Sequence, residues 1–159
     1  MLDLSAETES AQALALHLLE PGAAPVAGGQ ARAVAWALKD LCQQAWSTEP
    51  PRVVRAADAL RGLLAAGVPP EQAGEIRALA EWTTGIAHIT QGQMVQAVRS
   101  LDLACASFRA AGLPDPAAQT QVAKIVALSM LGRHEQAIEC AEATQAELLT
   151  LGNLPAARV

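Results

Sequence analysis

Residues 81–112 read EWTTGIAHITQGQMVQAVRSLDLACASFRAAG, two helical patterns that meet at a short turn around Gly92. In the first, Trp82, Gly85, Ile86 and Ile89 recur at spacings of three and four, so they share one helical face. In the second, Met94, Ala97, Leu101, Ala104, Cys105 and Phe108 do the same. Gly92 stands where the first helix must stop and Gly112 where the second stops, because glycine takes the left-handed conformation there at little cost. Gly85 and Ala97 are the small residues that let two antiparallel helices approach closely. The stretch predicts an αα-hairpin.

The pattern returns. A shift of 40 residues puts Gly92 on Gly132, Ala97 on Ala137 and Gly112 on Gly152, with Ile86 on Val126 and Val98 on Ile138. Punctuation recurs too, as AGVP at 66–69, AGLP at 111–114 and LGNLP at 151–155. A period of this length built from helix pairs predicts a solenoid.

Outward from this hairpin the chain stays helical in character. Its 159 residues are 52% hydrophobic and 17% charged, with one Phe and no Tyr, so the core must be built from Ala and Leu. β-Branched residues occur singly rather than in alternating runs, which sets strands aside. The class expected is all-α, with about seven helices. The first helix is read at 3–20 and a Pro/Gly-rich linker at 21–29. Further helices are read at 30–46, 51–66, 70–91, 93–111, 115–131 and 134–151. Pro51 is expected to open the third, Pro70 the fourth, and Asp115 to cap the sixth with Pro116 in its first turn. The division expected is thus 1–29, an N-terminal helix and linker, and 30–159, the repeats. The last residues look like the first turn of a further helix, as if a longer array had been cut there. Helix seven would then leave Ile138, Ala141, Leu148 and Leu149 uncovered, and self-association through this end is expected.

Charge and composition exclude several functions. The net charge of −5, with Arg and Lys scattered singly, lacks the basic face that nucleic acid requires. No apolar run approaches the roughly 20 residues of a membrane span, and the acidic N-terminus is unlike a secretory signal. Cys42, Cys105 and Cys140 form no metal-ligand spacing and read as buried free thiols. A soluble, cytoplasmic protein with no cofactor and no metal is expected. His17, His88 and His134 have no companion at ligand spacing. A Cys105-based nucleophile has no His that the sequence places beside it, and no phosphate-binding glycine motif occurs. Trp82 reads as a core anchor. Trp36 and Trp46 lie about 80° apart around one helix. Glu135, Glu139 and Glu142 read as a solvated face.

The order Trp82-x-x-Gly85-Ile86-x-x-Ile89, then Gly92, then Ala97, resembles the tetratricopeptide repeat (TPR), and Gly132 followed by Ala137 repeats its turn and close-packed alanine. The period near 40 rather than about 34 residues and the missing Tyr-like aromatics fit long-helix variants. EWTTGIAH at 81–88, AAQTQVAK at 117–124 and LGRHEQA at 131–137 resemble the helical arrays that precede CHAT domains, caspase-like proteases of bacteria. The resemblance implies a right-handed α-solenoid of antiparallel helix pairs. It further implies a non-catalytic protein–protein interaction scaffold, the recognition or regulatory region of a larger CHAT-type protein. A free-standing TPR adaptor is the alternative, with a small cysteine-dependent enzyme a distant third. By the same resemblance, the first helix of each pair lines a partner groove. That places Thr83, Ala87 and Thr90 with Thr120, Ala123, Ala127 and Met130 on a small, neutral surface suited to a protein or peptide held by shape.

Overall fold

The structure is a computed structural model and describes residues 4–24, 26 and 28–153. Among the described residues seven α-helices follow one another: α1 (Leu4–Leu18), α2 (Ala31–Ala45), α3 (Pro50–Ala66), α4 (Pro70–Thr90), α5 (Met94–Ala110), α6 (Pro114–Met130) and α7 (His134–Thr150). A short 3₁₀ turn at Gly28–Gln30 leads into α2, and no strand occurs among the described residues. The all-α class holds, and the helix ends agree with the sequence reading to within one or two residues.

The turns explain the cadence. After α4, the Gly92 N–H donates to the Ile89 carbonyl and the Gln93 N–H to the His88 carbonyl. The same two bonds recur at Gly112–Leu113, Gly132–Arg133 and Gly152–Asn153. This pairing is the Schellman motif, which satisfies two orphan carbonyls and needs a left-handed residue at its pivot. The four pivots are glycines with φ of 76°, 73°, 73° and 76°. Helices α5, α6 and α7 each have 17 residues, and three residues separate each from the next, so a unit of 20 residues repeats and a pair of helices takes 40. Helix α4 has 21 residues, four more than its neighbours. Four residues are close to one 3.6-residue turn, so the apolar face survives the insertion while the strict 40-residue register does not extend backward.

Each helix packs on the next, and α4 additionally meets both α2 and α6. Contact along α2, α4 and α6 fits a stacked array of pairs. Val34 and Leu38 of α2, Val53 and Leu60 of α3, Ile76, Leu79, Trp82 and Ile86 of α4, and Leu101 and Phe108 of α5 are fully buried in one continuous core. Ala11 and Ala15 of α1 join it, so the first helix is packed into the array through α2. Gly85 and Ala97 meet at the α4–α5 crossing as expected: a Cβ added at Gly85 would lie 2.7 Å from Leu101 Cγ and 3.4 Å from the Ala97 carbonyl oxygen.

Three local readings change. Pro50, not Pro51, opens α3. Asp115 does not cap α6, which begins with Pro114. The Asp115 carboxylate instead accepts from Gln119 Nε2 at 2.6 Å and from Asn153 Nδ2 at 2.7 Å, tying the start of α6 to the turn after α7. Leu148 is buried against Ala118 in a small second core, whereas Ile138 and Leu149 are 59% and 52% exposed. The expected start of an eighth helix lies outside the described residues.

Candidate functional site

Of the residues expected to line a groove, five are interior. Thr83, Ala87, Thr120, Ala123 and Ala127 are buried, Thr90 is half-buried, and only Met130 is well exposed. The threonine hydroxyls are also spent within their own helices. Thr83 Oγ1 donates to the Leu79 carbonyl at 3.0 Å, Thr90 Oγ1 to Ala87 at 2.8 Å and Thr120 Oγ1 to Ala117 at 2.7 Å. Small neutral side chains are what a close helix–helix seam needs, and on this chain those residues sit in the packed interior rather than on an open face.

An open groove lies elsewhere, between α5 and α7 with α6 as its floor, and encloses about 850 Å³. Its walls carry Val98, Asp102, Cys105, Ala106 and Arg109 from α5 and Arg133, Glu139, Cys140, Ala143 and Glu147 from the α7 side; Gln121, Lys124 and Leu128 form the floor. The α5 residues recur at three- and four-residue spacing, one face of a helix. Ala106 and Ala143 leave space where longer side chains would close it.

Two ion pairs frame the groove. Arg109 Nη2 donates to both Glu147 oxygens, at 3.0 and 3.1 Å, and so bridges α5 to α7. Lys124 Nζ reaches Asp102 Oδ1 at 2.7 Å, joining floor to wall. Arg133 and Glu139, both exposed, line the same groove with no ion-pair partner among the described residues. The Cys140 thiol lies 3.9 Å from Gln121 Oε1.

Neither buried thiol is poised for nucleophilic work. Burial pushes the Cys42 thiol up to about 12, with nearby Lys39 pulling weakly the other way. Burial likewise raises Cys105, against the opposing effect of nearby Arg109. A thiol attacks as the thiolate, so both are in the unreactive form near neutral pH. His88 is half-buried with its Nδ1 3.5 Å from Ser100 Oγ. Among the described residues no three His, Cys, Asp or Glu side chains come together as a metal site, and no helix is long and apolar enough to cross a membrane.

A second polar cluster sits inside the α2–α4 contact. Glu75 accepts from Trp36 Nε1 at 2.6 Å and from Arg32 Nε at 2.9 Å. Buried Lys39 places its ammonium 4.8 Å from the Trp82 ring and 5.3 Å from that of Trp36. Phe108 meets Trp82 edge-on at 5.9 Å. Glu75 and Lys39 here face other side chains of the same fold, so the cluster acts as a lock between helices. Trp82 is the core anchor the sequence suggested, while Trp36 is half-buried beside it.

No family model, curated protein or solved structure matches the chain.

Proposed function

We propose that this chain is a non-catalytic protein-interaction scaffold, a TPR-like right-handed solenoid of antiparallel helix pairs. In this reading it forms the recognition region of a larger bacterial CHAT-type protein. The observation that carries the scaffold reading is the repetition of one turn at Gly92, Gly112, Gly132 and Gly152, with α4 stacked on both α2 and α6. Such a unit cannot bury its apolar face alone, and stacking it produces an extended surface more suited to holding a partner than to enclosing a reaction. Antiparallel pairing is supported by how contacts progress. Going from His88–Ser100 to Gly85–Leu101, the residue number falls on α4 as it rises on α5. Handedness and the CHAT connection rest on the sequence resemblance. Partner and compartment, expected to be a protein or peptide in the cytoplasm, rest on the same ground, and so does the alternative of a free-standing adaptor.

Photo-crosslinking in the source cell tests the reading. A photoreactive amino acid at Ala143, in the groove wall, is expected to give discrete protein adducts that the same group at exposed Arg55 of α3 does not. Absence of protein adducts from either position, and from a survey of the other exposed helix faces, would contradict a scaffold role.

A further inference from the structure

We infer that Trp36, Trp82 and Phe108 form a binding cage for small alkylammonium ions, and that Lys39 is the ligand built into it. The inference is independent of the scaffold reading. The chain has four aromatic side chains, and three of them meet here, brought from α2, α4 and α5. Phe108 backs both indoles, its ring centroid 6.3 Å from that of Trp36 and edge-on at 5.9 Å from that of Trp82. The Lys39 ammonium lies 4.8 Å from the Trp82 centroid and 5.3 Å from the Trp36 centroid. Both are inside the range of about 6 Å over which a cation is drawn to a ring face. The Lys39 side chain is only 8% exposed, and a lysine so buried needs its charge compensated.

The surrounding charges identify what supplies that compensation. Glu75 is already matched, since it accepts from Arg32 Nε and from the Trp36 indole N–H. The second of these bonds fixes the edge of Trp36, and the edge-on contact with Phe108 fixes Trp82. For Lys39 there remain the two rings and one carboxylate, that of Asp40 at 3.0 Å. Asp40 is 56% exposed, and a carboxylate so open to water contributes little to an ion pair. The rings therefore carry the recognition of the cation. It follows that the cage selects the ammonium group rather than the four-carbon stem. Cutting Lys39 back to alanine removes the atoms of n-propylammonium, which is the ion that the cage should then take from solution.

The test is chemical rescue in the whole chain, read by urea denaturation. Lys39→Met keeps an unbranched stem and removes the charge. If the stem alone mattered, methionine would be as stable as lysine or more so, because it is easier to bury. The cage predicts at least a tenfold fall in the folding equilibrium constant instead. For Lys39→Ala, about 100 mM n-propylammonium chloride should raise that constant several-fold and saturably, as a ligand of the folded state does. The native chain, whose cage is filled, should not respond, and 1-propanol or sodium chloride at the same concentration should rescue neither. Adding Trp36→Leu to Lys39→Ala should remove the gain. Should Lys39→Ala be unfolded by itself, recovery of its helical circular dichroism with propylammonium replaces the midpoint as the readout. A Lys39→Met chain as stable as the native one overturns the inference. So does a failure of propylammonium to rescue Lys39→Ala, or an equal rescue by propanol.

Discussion

At Gly85 the α4–α5 crossing has room for a hydrogen and little else, since a Cβ there would sit 2.7 Å from Leu101 Cγ and 2.9 Å from Leu101 Cδ2. Leu101 is itself fully buried, so it cannot simply swing away. Alanine would improve helix propensity by about 0.8–1.0 kcal/mol, but overpacking a close contact costs about 1–3 kcal/mol. Gly85→Ala is expected to lower stability in chemical denaturation, and Gly85→Leu to lower it further. Combined with Leu101→Ala, which costs about 2–5 kcal/mol by itself, Gly85→Ala should be nearly free. Additive losses in this double-mutant cycle would mean the two positions do not touch. Cys42 makes a pH prediction at the same scale. Folding raises its thiol from the ordinary 9.0 to about 12, so its contribution to stability is complete below pH 9 and lost as pH rises from there to about 12. The loss can reach about 1.4 kcal/mol per pH unit while the unfolded thiol is ionised and the folded one is not. Denaturation curves at about pH 8 and about pH 10.5 should show a shallower alkaline decline for Cys42→Ala than for the native chain. Equal slopes would place Cys42 in contact with water.

The elements were legible because their ends are marked chemically. Glycine pivots and first-turn prolines set boundaries that periodicity alone would blur, and both recur at fixed intervals. Since Gly92 and Gly132 share φ near 75° and open space around the missing Cβ, an alanine at either position should pay the same left-handed penalty, about 1–2 kcal/mol. Matching shifts in melting temperature for Gly92→Ala and Gly132→Ala check their equivalence, and a large difference would deny it. The site was not legible in the same way. Small residues such as Ala87 and Ala123 serve a buried seam or an open groove equally well, and sequence spacing does not reveal which neighbour covers them. Across the α5–α7 groove runs a pairing between helices distant in sequence, Arg109 with Glu147. Nothing in the sequence places its two members side by side. Asp115 misled for a related reason, since its partner Asn153 lies 38 residues away.

For the whole molecule, burial thins toward α7. Only Ala137, Thr144 and Leu148 of that helix are buried, while Ile138 and Leu149 face outward. Two exposed apolar side chains on the outer helix give a second copy something to cover, at about 25 cal/mol per Å² of apolar area removed from water. Sedimentation over a wide concentration range is expected to show weak self-association that Ile138→Glu with Leu149→Glu abolishes. A chain that is monomeric throughout would remove that expectation. The central claim is that successive helix pairs are stacked copies, with α5 and α7 running side by side in the same direction. Spin-label distances test it most directly, in a background with the three native cysteines replaced by alanine. Labels go at exposed positions on α5 and α7, one pair at Gln96 and Gln136 and another at Ala106 and Ala146. Stacked copies predict that the two distances agree within about 5 Å, each near 20 Å, twice the usual interaxial spacing. Distances that differ by more than about 10 Å, as helices splaying apart would give, or a Gln96–Ala146 distance shorter than the Gln96–Gln136 distance, as helices running in opposite directions would give, would contradict it.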